Sequence, residues 1–117
     1  MAKPLNVDGD FGNILEYFVR MLAIQQRKDF PLHNYTFHYI KHSFLTNTDK
    51  NNELDSSEFP DKENLDRISK ILFFVKADKT SFVLEVGWGQ IKVDVREGEI
   101  DLAKFTELLD QSTFRFF

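Results

Sequence analysis

The chain contains no cysteine, which excludes a disulfide framework, a thiol nucleophile and thiolate metal ligation. No apolar run approaches the roughly 18–20 residues that a membrane span requires. The first ten residues, Met1-Ala2-Lys3-Pro4-Leu5-Asn6-Val7-Asp8-Gly9-Asp10, lack the basic-then-apolar layout of a secretion signal. These absences set the expectation of a cytoplasmic protein without membrane contact. A Lys/Arg stripe is missing as well. The 15 basic residues are outnumbered by 19 acidic ones, for a net charge of −4, which argues against binding a nucleic-acid backbone. Glycine and proline are sparse, 5 and 3 respectively. No Gly-rich phosphate loop or Gly-x-Ser-x-Gly nucleophile turn occurs, and no motif implies a cofactor.

What is present is phenylalanine, 13 residues of it against 3 Tyr and 1 Trp. Phe carries a large apolar surface and no polar handle, so most of these rings belong in a core or a contact surface. With 42% apolar and 29% charged residues, the composition is that of an ordinary globular protein. At 117 residues the chain is read as one domain, 1–117, large enough to bury a core. No repeat, linker or low-complexity segment divides it.

A helix is expected from about Phe11 to Lys28, capped by Asp8 or Asp10. Phe11, Ile14, Leu15, Phe18 and Leu22 form its core stripe, and Tyr17, Met21 and Ile24 form a second stripe beside it. The apolar arc spans roughly 220°, wider than the ~100° a one-sided surface helix needs. Burial on two sides follows, by the domain itself, by a partner or by a second copy in a homodimer. Phe30-Pro31 ends the pattern. In Tyr35–Leu45 the alternation of Tyr35, Phe37 and Tyr39 favours a strand, although Phe37, Ile40 and Phe44 also fit a helix. Leu65, Ile68, Ile71 and Leu72 predict a short amphipathic helix begun by Asp61. Three strands follow, Phe73–Ala77, Ser81–Val86 and Gln90–Arg96, joined by Asp78-Lys79 and Gly87-Trp88-Gly89 as an antiparallel meander. A last helix, Leu102–Gln111, is capped by Asp101. The expected fold is therefore α+β: a small antiparallel sheet, a three-stranded meander with 35–45 as a candidate fourth strand, packed against N- and C-terminal helices.

Between Asn47 and Glu58 the sequence reads Asn-Thr-Asp-Lys-Asn-Asn-Glu-Leu-Asp-Ser-Ser-Glu. Oxygen-bearing side chains fall at loop positions 1, 3, 5, 9 and 12, here Asn47, Asp49, Asn51, Asp55 and Glu58, with Leu54 at position 8. Over these twelve residues the spacing resembles the calcium loop of an EF-hand, and the resemblance implies those five side chains as metal ligands. The pattern departs from the family at Asn47, where Asp is usual, and at Asn52, where Gly makes the turn. Pro60 falls where the exiting helix should run, and no second loop is present to pair with it.

His38 and His42 are four residues apart. On a helix their Cβ atoms would lie ~6 Å apart and could share a metal; on a strand ~13 Å separates them. Asp94, Glu97, Glu99 and Asp101 cluster at the end of the meander, around a turn and a helix cap, without an apolar pocket to raise one pKa.

The functional expectation is a small acidic protein-binding module, an inhibitor, immunity protein or chaperone-like adaptor that engages a basic protein. Size and acidity are similar to those groups, a likeness of bulk properties. Tyr17, Met21, Ile24, Trp88, Phe114, Phe116 and Phe117 are the candidate apolar contacts, Trp being common at interface hot spots. A calcium- or ligand-responsive domain built on 47–58 is the alternative.

Overall fold

The computed structural model describes residues 5–45 and 53–116, the side chains at 53, 62, 64, 65 and 113–116 excepted. The elements run β1 (Leu5–Asp8), α1 (Gly12–Gln25), β2 (Asp29–Leu32), β3 (Tyr35–Leu45), β4 (Glu53–Ser56), a 3-10 turn (Lys62–Arg67), β5 (Ile68–Lys76), β6 (Ser81–Gly87), β7 (Gln90–Glu97) and α2 (Leu102–Phe116). The strands form one antiparallel sheet of seven, in the order β1-β7-β6-β5-β3-β2, with β4 also paired to β3. One half of β3 pairs with β2, through Leu32 opposite Tyr35, and the other half with β4, through Phe44 opposite Leu54.

The α+β class is as expected, but the sheet is larger than a meander. β5, β6 and β7 are the expected three strands and β3 is the fourth; β1, β2 and β4, four residues each, were not anticipated. In β2, Pro31 had marked a break. On an edge strand its missing N–H costs no ladder bond, so the strand tolerates it.

A second correction concerns Leu65–Leu72. The 3-10 turn ends at Arg67 and β5 begins at Ile68, so the expected helix is a strand over its second half. The helix-like spacing has a physical origin. Pairing against β3 slips where Ser43 faces Lys70 and Phe44 faces Ile68, leaving Ser69 as an extra residue. A bulge of this kind places Ile68 and Ile71, three apart, on the same buried face, both nearly inaccessible.

Of the expected core stripe, Ile14, Leu15, Phe18 and Leu22 are buried, together with Val19, Met21 and Ala23; Phe11 precedes the helix and is half-buried against the core, and the helix ends at Gln25, short of the expected Lys28. Most of the wide apolar arc is covered within the chain, because α1 packs on β5 and β6, on the 3-10 turn and on α2; Ile24 stays exposed and Tyr17 half-buried. The Asp10 carboxylate accepts the Gly12 N–H at 3.3 Å, and a left-handed Gln26 (φ 52°) closes the other end, its N–H donating to the Leu22 carbonyl. Asp101 caps α2 by accepting the Lys104 N–H at 3.2 Å. That helix runs past Gln111 to Phe116, so Phe114 and Phe116 continue it as backbone. Their side chains, and Phe117, lie outside the described residues.

Both helices cover the same sheet face, where Phe37, Phe73, Phe82, Phe105 and Leu109 join the α1 residues in one core cluster. Each fully buried Phe contributes about 1.5–3 kcal/mol relative to an exposed one. The opposite face carries half-buried Leu72, Phe74 and Val83. Lys41–Asp55, Lys70–Glu85–Lys92 and Asp94–Arg96 pairs surround them, and at such exposure ion pairs add little to stability. Among the described residues no helix is long and apolar enough to cross a membrane.

Gly98 joins β7 to α2 at φ 74°, and a Cβ there would fall on the Lys79 carbonyl oxygen. Gly98→Ala is expected to cost about 2 kcal/mol or more of unfolding free energy. Gly89→Ala, with nothing within 4 Å of its Cβ position, should change stability by less than about 0.5 kcal/mol. Urea titration of the two variants distinguishes them.

Candidate functional site

Trp88 sits at the tip of the β6–β7 hairpin, and that tip is fastened to the start of α1. The Trp88 carbonyl accepts the Phe11 N–H at 3.0 Å and the Gly89 carbonyl accepts the Gly9 N–H at 3.2 Å. The indole N–H donates to the Ile68 carbonyl at 3.3 Å. The ring lies so close on Gly12 that a Cβ at that position would collide with it. Trp88 is 54% exposed yet held from several directions, which orders a large apolar surface before anything binds to it.

Beside the ring is a cleft of about 460 Å³, lined by Leu15, Glu16, Val19, Arg20, Asp66, Ile68 and Trp88. Buried Leu15, Val19 and Ile68 form the floor. Glu16 and Arg20, one turn apart on α1, pair at 2.7 Å on the rim, with Asp66 contributed by the 3-10 turn. The volume lies within the roughly 300–1,000 Å³ usual for binding clefts, and an apolar floor with a few polar groups is their usual composition.

A second constellation lies at the far end of β3. Pairing with β5 slips between Tyr39 and Lys41, and Ile40 is the extra residue. The bulge turns His42 to the inner face opposite Ile71, whereas His38 stays on the outer face opposite Phe74. The two histidines therefore share nothing: His38 meets Asp29 at 2.6 Å, and His33 meets Ser112 at 3.1 Å. His42 is 5% exposed, with Nδ1 2.7 Å from the Tyr39 hydroxyl oxygen. That hydroxyl also lies 2.8 Å from the Glu58 carbonyl and 3.2 Å from the Ser56 carbonyl.

Carbonyl oxygens only accept, and the phenol has one proton. Donation toward the nearer Glu58 carbonyl leaves the phenol oxygen to accept from His42 Nδ1–H; the reverse assignment would press two carbonyls against a lone pair. The network thus assigns His42 the Nδ1–H tautomer, with a lone pair on Nε2. Burial pushes the Tyr39 phenol well above its ordinary range. Burial also holds His42 below its ordinary 6.5, countered in part by the Asp55 carboxylate.

Of the expected contact residues, Trp88 lines the cleft and Ile24 is 64% exposed. Tyr17 is half-buried against Phe18, ring centroids 5.4 Å apart, and Met21 is buried in the core. Neither these two nor Ile24 lines the cleft; their neighbours Leu15, Glu16, Val19 and Arg20 do, and the Glu16–Arg20 spacing was their visible signal. Of the calcium-like set, Asn47, Asp49 and Asn51 lie outside the described residues. Asp55 is on β4, its carboxylate accepting from Ser43 Oγ at 2.6 Å and Lys41 Nζ at 2.9 Å; these partners hold it below the usual carboxylate value. Glu58 follows β4. Of the meander-end acids, Asp94 pairs with Arg96 at 3.2 Å and Asp101 caps α2. The chain matches no protein-family model, no curated protein and no solved structure.

Two outcomes follow from this geometry. His42 binds its proton less readily in the folded chain than at its ordinary value of 6.5, so the unfolded chain takes up more protons as pH falls. Stability should be full above about pH 6.5 and decline as pH drops through that value toward the folded pKa. Urea titrations between pH 8 and pH 5 should show the decline, and His42→Phe should remove it. In the second test, Gly12→Ala should expel the indole from its seat and shift Trp88 emission to longer wavelength.

Proposed function

We propose that the chain is a small acidic protein-binding module without enzymatic activity, which receives an apolar side chain of a basic protein partner in the Trp88 cleft. The observation that carries this reading is a half-exposed tryptophan held rigidly over an apolar floor. Such a surface loses little freedom on binding, so less of its burial is offset by the cost of ordering. Tryptophans in this setting are frequent energetic hot spots. The rim supports a basic partner, since Glu16 and Asp66 outnumber Arg20 there, and Glu58 and Asp61 extend the acidic surface on the other side of Ile68. With a net charge of −4, the protein as a whole would accelerate encounter with a cationic surface. Binding at this end of the molecule would act by covering the partner, as inhibitors, immunity proteins and chaperone-like adaptors do.

Affinity purification from the native host with the parent chain should recover a stoichiometric basic protein, and calorimetry on the purified pair should give its affinity. Trp88→Ala is expected to cost about 2 kcal/mol or more, roughly thirtyfold in Kd. Ile24→Ser, away from the cleft, should leave binding unchanged. Equal binding by the parent and Trp88→Ala, with both folded by circular dichroism, would overturn the proposal.

A further inference from the structure

Helix cover of the inner sheet face ends short of β4, where Leu54 is 52% exposed. The strand register places three apolar residues side by side at this end of the molecule. Leu54 of β4 lies opposite Phe44 of β3, and Phe44 lies opposite Ile68 of β5. Residues directly opposed on antiparallel strands share a face. The three therefore form a row across the sheet, about 10 Å long at two strand spacings. The row continues beyond Ile68, whose carbonyl accepts the Trp88 indole N–H and whose side chain lines the Trp88 cleft. On its other side Ile68 walls a smaller cleft of about 160 Å³, together with Phe44 and Phe59. The result is one apolar band, from Leu54 through Phe44 and Ile68 to Trp88, buried at Ile68 and more than half exposed at both ends. Single exposed apolar residues need no explanation, but a contiguous patch rimmed by polar groups marks a contact surface. The rim here is largely of one sign. Glu16 and Asp66 border the Trp88 half and Glu58 and Asp61 the Phe44 half, against Arg20 alone among the described bases that line the two clefts.

We propose that this band is a single docking surface for a segment of a basic protein that presents two apolar side chains with Lys or Arg beside them. One side chain enters the Trp88 cleft and the other covers Phe44 and Leu54. This rests on the reading of the Trp88 cleft given above and extends it across Ile68. Charge complementarity selects the occupant: basic residues flanking the anchors would face four carboxylates. A second copy of this chain, itself at −4, would bring acid against acid. Length selects the spacing of the anchors. Two to three strand spacings, about 10–14 Å, match residues seven apart on a helix (~10.5 Å) or four apart on a strand (~13 Å). Because the two contacts are linked through one segment, each acts at the high effective concentration the other creates, and losing either should weaken the whole.

The test begins with random peptides of about 12 residues, long enough to span the band in either conformation, displayed on phage and selected on the full chain. Enriched peptides should carry two apolar residues at one of those spacings, with Lys or Arg beside them. The best of them, synthesised, should change the emission of Trp88, the chain's one tryptophan, saturably. Calorimetry should then show binding at least about tenfold weaker to Trp88→Ala and to Leu54→Thr. Threonine suits a half-exposed strand position, and circular dichroism checks that both variants fold. Glu58→Lys should also weaken binding and reduce its dependence on salt. A loss in Trp88→Ala with none in Leu54→Thr would confine binding to the cleft, overturning the extended surface and leaving the cleft reading intact. A loss in Leu54→Thr alone, or in neither, would overturn both. No enrichment, or enrichment of acidic peptides or of peptides with one apolar residue, would overturn the two-anchor surface. So would sedimentation of the parent chain as a dimer that Leu54→Thr dissociates, because the occupant would then be a second copy.

Discussion

Phe18 projects from the middle of α1 onto Phe73 at 4.8 Å between ring centroids, and Phe37 and Phe30 close around it at 5.5 and 6.1 Å. Phe105 brings α2 into the same group, 5.1 Å from Phe82 and 6.3 Å from Phe37. Stacked, tilted and edge-on contacts of this kind add about 0.5–1.5 kcal/mol per pair beyond the area they bury. The rings of the sheet's central strands are unevenly shared between its faces: Phe37, Phe73 and Phe82 point inward, while Phe74 points outward. That asymmetry draws both helices to one face and leaves the other bare. With Phe18 pinned, the turn around it also has a fixed position, and it carries Leu15 and Val19 to the hairpin that bears Trp88.

Two single-residue irregularities then make the clefts. Ile40 in β3 reverses the direction of every later side chain in that strand, so His42 enters the inner face and Ser43 the outer. Ser69 in β5 brings Ile68 inward at the strand's beginning. Without the first bulge, His42 would share the solvent face with His38; without the second, the wall common to both clefts would point the other way. Each costs an interrupted ladder and gives a local change of direction, a familiar use of bulges beside functional sites.

These bulges also explain what could be read from the amino-acid sequence and what could not. β6 and β7 were legible because Phe82-Leu84-Val86 and Ile91-Val93 alternate without interruption, and α2 was legible from Asp101 and its apolar spacing. The start of β5 was read as helix because the Ser69 bulge imitates a three-residue period. The short edge strands escaped because four residues carry too little periodicity, and Pro31 counted against one of them. Trp88 stood out by residue type. The rest of its cleft is assembled from α1, a 3-10 turn and β5, segments whose proximity no local pattern encodes. His42 was noticed for its spacing from His38, which proved irrelevant; its burial follows from a register slip that only the paired strand reveals.

The charge layout gives the two clefts a shared character. On the bare face of the sheet the acids meet bases: Asp55 lies 2.9 Å from Lys41, Asp94 3.2 Å from Arg96, and Glu85 3.8 Å from both Lys70 and Lys92. That face is close to neutral, although the chain carries −4. Glu58, Asp61 and Asp66 line the clefts instead. Acidic side chains therefore stand at the end of the molecule where Ile68 and Trp88 lie. At physiological salt their field reaches about 8 Å, enough to orient an encounter but too exposed to hold a complex together. Rim charges should thus govern how fast a cationic group arrives. For the proposed partner, how long it stays would depend on what is desolvated, namely the apolar floor beneath Trp88. If the proposed partner binds there, attraction and retention would reside in different side chains, so substitutions at the rim and at the floor should separate in association and dissociation rates.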